Sequence, residues 1–525
     1  MESILSDSSK FKPYVVDKRC KKNPFIFEED KLNRKLIEFQ KKGYFDKSVL
    51  SKIKSTGSQP ARLYGLPKVH KNNTDPPYRP ILNMKNSYKT DLSEYLCKIL
   101  KTYLPSTYVL KDTFQFVEEL KGFEFKSRQS IEMCSFDVIN LFGNIPISRT
   151  IDHILTLIDF DHFELSRVAL KEMLHLACTN VIFSFNDKLY SQFDGMAMGS
   201  KLGPTMAAFA MNMIESNFEN FSGSKPLLYK RYVDDCFCIF HSKTDIENFF
   251  KFINSLDDNL QFTVEYENNK SLRFLDTTVF IDQDQIRIRF SFKNTNTGMY
   301  IPSSALAPFS YKMAAFRALF YRAFRICSHK FLYEQATEEI LNFSRMNGYA
   351  DSVILKLKDE VEQKLLNNGH TDRQEVKFVN WNIPFISKGV NELKNRIHFI
   401  NKALPENTKI RLIFKTSKTL HMCQNVDTIS SELKSKIVYV YSCDRCNMRY
   451  VGVTIRHLAI RINEHVTGKP LPTEISMHVH RPLKENFSVI GRSRFPKILE
   501  TILIRDNFDA LSNERSGSHP LRLNL

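Results

Sequence analysis

The sequence has no apolar run long enough to span a membrane, and no signal-peptide pattern follows Met1. Its ten cysteines are scattered over 525 residues, unlike the dense spacing of a secreted disulfide framework. Reduced thiols or a metal site fit these cysteines better. These absences argue against an integral membrane protein and a small disulfide-rich secreted protein, and we expect an intracellular chain with no membrane partner.

The sequence also has fewer acidic residues than basic ones. The 75 lysines and arginines outnumber the 58 acidic residues and give a formal net charge of +17. Such an excess is typical of a protein that handles a polyanion, although a merely soluble basic protein is the alternative. The length is sufficient for two to four domains.

Two adjacent carboxylates, Asp234 and Asp235, interrupt an apolar stretch where a tight turn is expected. The flanking residues are aromatic or β-branched enough to form strands. Neighbouring carboxylates repel each other and are costly to desolvate, and a divalent cation relieves both effects. Mg²⁺ prefers one or two carboxylates plus phosphate oxygens, and two such ions can clamp an in-line phosphoryl displacement. An ordinary hairpin with an acidic turn is the alternative.

A second acidic strand supports the metal site. Residues 131–138 predict a mostly apolar strand that carries Asp137 near its end, and Gly143 and Pro146 terminate it. Asp137 would join Asp234 and Asp235 in a three-carboxylate site for two metal ions.

Three segments resemble motifs A, B and C of reverse transcriptases, in the same order. They are Ser135-Phe136-Asp137-Val138, Gly195-Met196-Ala197-Met198-Gly199-Ser200 and Tyr232-Val233-Asp234-Asp235. The resemblance implies a multidomain α+β chain with a right-hand architecture of fingers, palm and thumb. It also implies two Mg²⁺ ions in the polymerase site, an RNA template and deoxynucleoside triphosphates as substrates.

The same resemblance assigns roles on either side of the carboxylates. Gly199 would belong to a loop under the templating base pair, and Met198 stands where many reverse transcriptases have glutamine. Phe142 would be a steric gate against a ribose 2′-hydroxyl, with plain core packing as the alternative. Lys68 and Arg79, in a basic segment broken by prolines, would contact triphosphate or template, with a solvated basic loop as the alternative.

Two further runs are similar to one subgroup, the Penelope-like retroelement reverse transcriptases. They are Leu66-Pro67-Lys68-Val69-His70-Lys71 and Arg273-Phe274-Leu275-Asp276. We predict one strand over residues 271–279. A helical region from about 311 to 366 would be a thumb that grips the product duplex, or a helical scaffold whose charges face solvent.

The composition shifts after the only tryptophan, Trp381, and a second set of motifs follows. Residues 437–454 predict strand, turn, strand, and residues 456–465 predict an amphipathic helix. They resemble the GIY-YIG nuclease family, although Ile437-Val438-Tyr439 lacks the first glycine. The residues that carry the resemblance are Tyr439, Tyr450, Arg461, His465 and Glu500.

This second resemblance implies a metal-dependent DNA endonuclease. Glu500 would hold one Mg²⁺, Arg461 would stabilise phosphorane charge, and Tyr439 would position or deprotonate water. The alternatives are a small structural α/β domain and a nuclease fold without activity.

A candidate zinc site lies in the turn between those two strands. Cys443 and Cys446 are joined downstream by His478 and His480, and a Cys₂His₂ site is sterically reasonable. The two histidines are spaced more tightly than usual, so the histidine ligands stay open. Two free thiols in a loop are the alternative.

Together these features predict a Penelope-like retroelement protein that nicks target DNA and extends the exposed 3′-hydroxyl on element RNA, in the nucleus. The alternatives are a domesticated reverse transcriptase whose C-terminal domain only binds DNA, and a non-catalytic nucleic-acid-binding protein. The predicted domains are a basic extension (1–55), fingers and palm (56–300), thumb (301–380), connector (381–435) and endonuclease (436–525).

Overall fold

The computed structural model describes residues 2–15, 23–68, 76–123, 131–282, 285–293, 295–367, 376–385, 389–405, 407–415, 429–493 and 495–506. Its first elements are α1 (Glu2–Leu5), β1 (Phe11–Pro13), α2 (Pro24–Lys41), α3 (Lys47–Ile53), β2 (Ala61–Pro67), β3 (Tyr78–Asn83), α4 (Thr90–Leu100), α5 (Thr113–Lys121) and β4 (Glu132–Val138). Val69, His70 and Lys71, part of the predicted basic segment, lie outside the described residues.

The central elements are α6 (Leu141–Asn144), α7 (Ile147–Leu157), α8 (Arg167–Cys178), β5 (Val181–Phe185), β6 (Lys188–Gln192), α9 (Gly203–Glu215), β7 (Leu228–Tyr232), β8 (Asp235–Phe240), α10 (Lys243–Ser255), β9 (Phe262–Tyr266), β10 (Ser271–Phe274), β11 (Thr277–Asp282) and β12 (Gln285–Phe290). The last elements are α11 (Phe309–Ile326), α12 (Lys330–Met346), α13 (Asp351–Asn367), β13 (Lys377–Pro384), α14 (Val390–Ala403), β14 (Thr408–Lys415), β15 (Ile437–Ser442), β16 (Arg449–Thr454), α15 (Leu458–Thr467), β17 (Phe487–Arg492) and α16 (Pro496–Asp506). The mixed α+β class predicted from the sequence is confirmed.

A four-stranded sheet, the acidic sheet, has the order β7-β8-β4-β9. Strand alternation sends Phe136 into a core shared with helices α2, α4, α7, α8, α9 and α10. Met133 and Phe237 point to the opposite face, where they pack with α5 and α11. The sheet is therefore buried on both faces, and Asp137 lies on the second face at the end of its strand.

A five-stranded sheet has the order β1-β6-β5-β2-β3. The β5–β6 hairpin turns at Asn186 and Asp187, and both residues have positive φ (48° and 57°), as a tight hairpin requires. The N-terminal segment joins this sheet through β1, which pairs with β6. It is thus packed into the fold over these residues.

The single strand predicted over residues 271–279 is wrong. The chain reverses at Leu275 and Asp276, so that β10 and β11 form a hairpin in which Phe274 pairs with Thr277. Leu275 has a φ of 52°, which is uncommon for a non-glycine residue. Asp276 supports the turn because its carboxylate pairs with Arg322 of α11 and accepts a hydrogen bond from Thr113.

Three helices, α11, α12 and α13, follow the small sheet β10-β11-β12 and confirm the predicted helical region. After them β13 and β14 form a parallel pair linked by α14. The C-terminal part is a three-stranded antiparallel sheet of order β16-β15-β17 with α15 and α16.

The C-terminal part packs against α2 and the loop after α3. Phe25, Ile26 and Leu433 belong to one buried cluster. The carboxylate of Glu29 accepts hydrogen bonds from the backbone N–H groups of Gly57 (3.0 Å) and Ser58 (2.7 Å). The side chains of Ser435 and His457 in the C-terminal part contact the same loop.

Among the described residues, no helix combines the length and the apolar character that a membrane crossing requires.

Candidate functional site

The acidic sheet brings two of the predicted carboxylates face to face. β4 and β8 are antiparallel, and Asp137 is the register partner of Asp235. Asp234 lies in the two-residue turn between β7 and β8, where Tyr232 pairs with Asp235. Three carboxylates from distant parts of the sequence therefore converge at one edge of the sheet.

The turn that carries Asp234 has an unusual backbone. Val233 has a φ of 59°, which is a genuine outlier for a β-branched residue. The guanidinium of Arg231 donates to the Val233 carbonyl oxygen at 2.9 Å. Arg231 is fully buried and also makes two hydrogen bonds to the Glu215 carboxylate, at 2.5 and 3.1 Å. A buried ion pair thus ties the strained turn to the end of α9.

The three carboxylates influence each other electrostatically. Desolvation, together with the negative charges of Asp234 and Asp137, raises the pKa of Asp235 to about 6, while Lys293 acts in the opposite direction. Carboxylates that disfavour each other's ionisation gain from a bound cation, and their hard oxygen atoms are the ligands that Mg²⁺ prefers. The donor set therefore fits a divalent magnesium site.

The loop before α9 lies against strand β3. The N–H of Leu82 donates to the Met198 carbonyl oxygen at 2.8 Å. Gly199 has a φ of 130°, and a Cβ atom there would collide with the Leu82 carbonyl oxygen. A glycine is therefore needed at this close approach, whichever substrate the loop meets.

Phe142 is half-buried beside the same loop. Its carbonyl oxygen accepts the Met196 N–H at 2.7 Å, and its ring would lie 3.5 Å from a Cβ atom placed on Gly203. Phe142 also packs against the core of the acidic sheet. The ring contacts both the core and the start of α9. Its position is therefore compatible with core packing and with a steric gate against a ribose 2′-hydroxyl.

The predicted basic residues lie at the far end of the β2–β3 hairpin. The N–H of Lys68 donates to the Pro77 carbonyl oxygen at 2.8 Å, just beyond β2. Arg79 is exposed on β3 opposite Leu66. The hairpin thus presents both cations on the sheet that also contacts the Met198–Gly199 loop.

A second polar cluster lies in the C-terminal sheet. The hydroxyl of buried Tyr439 lies 2.7 Å from Nε2 of His465, and Nε of Arg461 donates to the same hydroxyl at 3.1 Å. Nδ1 of His465 lies 2.8 Å from the Thr473 hydroxyl. Burial, together with the Arg461 charge, lowers the pKa of His465 to about 3. The imidazole is therefore neutral near pH 7, and its Nε2 can accept a hydrogen bond from the Tyr439 hydroxyl.

Glu500 and Tyr450 lie near this cluster. Glu500 is buried on α16. Burial raises the pKa values of Tyr439 and Tyr450, and the negative charge of Glu500 contributes to both. A Cβ atom on Gly452 would lie 2.5 Å from the Tyr439 hydroxyl and 2.8 Å from the Tyr450 ring, so only glycine fits between the two tyrosines. The five residues predicted from the GIY-YIG resemblance thus surround one location.

The four predicted zinc ligands converge beside the β15–β16 turn. Their ligand atoms all lie within 4.8 Å of one another. Sγ of Cys443 lies 3.5 Å from Nδ1 of His480, and Sγ of Cys446 lies 3.3 Å from Nε2 of His478. Tetrahedral zinc with standard bond lengths would separate sulfur and nitrogen ligands by about 3.5 Å.

The chemistry of the thiols also fits zinc. Desolvation acts to raise the pKa of the Cys443 thiol, but hydrogen bonds from the Arg445 N–H and from His478, Cys446 and His480 outweigh it and lower the pKa to about 6. Because zinc binds the thiolate, this environment favours the ligand form of Cys443.

Several polar partners were not found from the sequence. Arg231 and Glu215 support the acidic turn, Lys293 acts on Asp235, and Thr473 contacts His465. The signal for Arg231 was strand alternation, because it shares the buried face of β7 with Tyr229. No local sequence pattern identifies Glu215, Lys293 or Thr473, since these residues reach their partners through tertiary packing.

Comparison with known protein families gives two matches. Residues 69–285 match the family described as "Reverse transcriptase (RNA-dependent DNA polymerase)". Residues 299–359, which include α11 and α12, match the family described as "Animal helix-turn-helix domain". No curated protein matches the chain. The chain therefore contains a reverse transcriptase domain followed by a helix-turn-helix segment.

Solved structures show distant similarity. The Candida albicans telomerase in complex with a TWJ fragment of telomeric RNA is 10% identical, with a TM-score of 0.40, over 69% of each chain. The Sicinivirus 3Dpol RNA-dependent RNA polymerase is 11% identical, with a TM-score of 0.37, over 67% of this chain and 93% of that one. The apo Candida tropicalis telomerase truncated from its C-terminal domain is 13% identical, with a TM-score of 0.34, over 43% of this chain and 54% of that one.

Proposed function

We propose that this chain, whose residues 69–285 form a reverse transcriptase domain, is a Penelope-like retroelement protein that joins RNA-directed DNA synthesis to DNA nicking. In this proposal the C-terminal part is a GIY-YIG endonuclease that cuts target DNA. The polymerase then extends the exposed 3′-hydroxyl on element RNA, with deoxynucleoside triphosphates as substrates. The working compartment would be the nucleus.

One observation carries the polymerase part of the proposal, namely the pairing of Asp137 with Asp235 beside the Asp234 turn. Asp137, Asp234 and Asp235 would hold two Mg²⁺ ions, which when bound neutralise triphosphate charge and assist the attacking hydroxyl. Arg231 would hold the turn in place. Lys68 and Arg79 would contact the triphosphate or the template.

The nuclease part rests on the cluster around Tyr439. Neutral His465 would accept a hydrogen bond from the Tyr439 hydroxyl and thereby orient the hydroxyl that positions or deprotonates water. Arg461 would stabilise negative charge on the phosphorane, and buried Glu500 would hold one Mg²⁺. Tyr450 would shape the pocket across Gly452, and the Cys443, Cys446, His478 and His480 set would hold a structural zinc ion.

Primer extension with Mg²⁺ tests the polymerase. Asp234→Asn should abolish RNA-templated DNA synthesis and leave RNA affinity nearly unchanged, because it removes a metal ligand and not a basic contact. Asp258→Asn, an exposed aspartate in the loop after α10, is the matched control. Synthesis at near wild-type rate by the Asp234 variant would rule out the assigned metal site.

Plasmid nicking tests the nuclease. Glu500→Ala should eliminate nicking while synthesis on a supplied primer persists, and a pre-nicked duplex should restore insertion at least partly. Glu485→Ala, an exposed acidic residue of the same sheet region, is the control. A wild-type protein that binds DNA without nicking would favour the domesticated reverse transcriptase. A wild-type protein that shows neither nicking nor primer extension would favour the non-catalytic nucleic-acid-binding protein.

A further inference from the structure

The segment between α13 and β15 contains a β-α-β unit that the proposed activities do not use. β13 and β14 are parallel and in register, so paired residues point to the same side of the sheet. Phe378 pairs with Lys409, and Asn380 pairs with Arg411. We define the open face of this unit as Phe378, Asn380, Asn382, Lys409, Arg411 and Lys415.

The opposite side of the unit is covered over β14 but not over β13, where Trp381 is 49% accessible. Phe414 belongs to that side, and the Lys394 ammonium of α14 lies 6.0 Å from its ring centre. The hydroxyl of Tyr311 on α11 accepts a hydrogen bond from the Phe414 N–H at 3.2 Å. The helix and the α11 contact therefore lie on one side and at one end, and the open face remains exposed, with Phe378 49% accessible.

The open face combines an aromatic ring with an oriented cation. The guanidinium carbon of Arg411 lies 4.9 Å from the centre of the Phe378 ring, and its Nε donates to Oδ1 of Asn380 at 3.1 Å. These two contacts hold the guanidinium over the face. Lys409 and Lys415 extend the positive charge along β14 for roughly 20 Å, at about 3.3 Å per residue.

The whole segment carries a net positive charge. Residues 376–415 contain eight lysines and arginines and two glutamates. One of these, Glu392, pairs with Arg396 on α14 at 2.6 Å and lies away from the β-strands in sequence. Among the described residues, no acidic side chain belongs to β13 or β14. A polyanion complements the positive charge of this surface, whereas a protein partner with few acidic residues or an apolar partner does not.

We propose that the open face binds single-stranded nucleic acid, and thereby gives the chain a binding site apart from the polymerase and nuclease sites. Bases would stack on Phe378 and on the Arg411 guanidinium, phosphates would contact Lys409 and Lys415, and the amides of Asn380 and Asn382 would face base edges. A duplex offers phosphates but keeps its bases stacked inside, so it would leave the aromatic ring unused. The inference does not depend on either proposed activity.

The test uses the full chain with its polymerase cleft saturated by an unlabelled RNA–DNA primer–template. Fluorescence anisotropy then measures the binding of labelled single-stranded 15-nucleotide oligo(U) and oligo(dT) over a series of salt concentrations. Phe378→Ala combined with Arg411→Ala should weaken binding at least tenfold. Lys409→Gln alone should reduce the salt slope by about 0.7, the value for one single-strand phosphate contact. Phe399→Ala, an exposed aromatic residue on α14, should change affinity less than twofold.

Three results would overturn the proposal. They are the absence of oligonucleotide binding to the saturated protein, equal affinity of the double variant and the wild type, and an equal loss in Phe399→Ala. A wild-type dimer in light scattering that the double variant loses, without a change in oligonucleotide affinity, would make the face a contact between two copies and also overturn it. Primer extension by the double variant verifies its folding. If it does not fold, Lys409→Gln with Lys415→Gln should still weaken binding three- to fivefold.

Discussion

Single residues at the acidic turn differ in what they contribute. Asp234 and Asp235 contribute negative charge, whereas Arg231 holds the backbone of the turn in place. Its guanidinium donates to the carbonyl oxygen of Val233, the strained residue of the turn. A buried ion pair is weak support for stability by itself, since desolvation offsets much of the attraction. Positioning the Val233 carbonyl therefore gives a better reason for Arg231 than stability does.

Arg231 and Glu215 give a prediction that separates these roles. Arg231→Met should lower the free energy of unfolding by about 3–5 kcal/mol, because it leaves the Glu215 carboxylate buried without its cation. Adding Glu215→Leu should recover most of that stability in chemical denaturation. Primer extension should stay low in the double variant, because Val233 still lacks its donor. Recovery of both properties would limit the pair to a structural role.

Phe142 gives a second prediction at this scale. Phe142→Ala should raise the incorporation of ribonucleotides relative to deoxynucleotides, because the bulk that would face the 2′-hydroxyl is removed. Single-nucleotide extension with matched ribo- and deoxynucleotides measures the ratio. Leu141→Ala, a buried neighbour, controls for lost packing and should leave the ratio unchanged. A uniform loss of activity with an unchanged ratio would support core packing for Phe142.

At the scale of elements, the residues in a turn determined whether its hairpin could be predicted from the sequence. The β5–β6 hairpin was predictable because Asn186 and Asp187 tolerate positive φ. The β10–β11 hairpin was not, because Leu275 occupies the positive-φ position and tertiary contacts of Asp276 hold the turn. The candidate site residues could be proposed from the sequence because each lies in a short local pattern.

The cysteines and histidines beside the β15–β16 turn yield an element-scale prediction. The purified protein should contain one zinc ion per chain, as measured by elemental mass spectrometry. The Cys446→Ala variant should contain none. The variant should also unfold at lower temperature, because the metal joins the turn to the segment that carries His478 and His480. Cys97→Ser, at a half-buried free thiol elsewhere, should retain the metal. Wild-type protein without zinc would contradict this site.

At the scale of the whole molecule, the two candidate active sites belong to one packed unit. Oγ of Ser435 donates to the Gly57 carbonyl oxygen at 2.5 Å, and Nε2 of His457 lies 2.8 Å from the Ser58 carbonyl oxygen. Glu29 orients the same loop from α2. No motif foretold this contact, because its partners are nearly four hundred residues apart and belong to segments with no shared pattern.

This contact leads to a prediction about coupling. Glu29→Ala should leave the buried N–H groups of Gly57 and Ser58 without their acceptor, at about 1–3 kcal/mol for each group. The loop should then loosen, and limited proteolysis should release a fragment that begins near residue 429 faster than from the wild type. Glu38→Ala, an exposed residue of the same helix whose partners are surface lysines, is the control.

The same variant also connects the packing to the proposed function. Nicking of a plasmid and extension of a supplied primer should each survive Glu29→Ala, because Glu500 and Asp234 lie outside the contact. Insertion that begins at a nick made by the same molecule should fall several-fold, since the cut end must reach the polymerase cleft before it diffuses away. Equal proteolysis of Glu29→Ala and Glu38→Ala would mean that Glu29 does not hold the two parts together. Faster proteolysis with undiminished insertion would mean that the fixed arrangement of the two parts is not needed for transfer of the cut end.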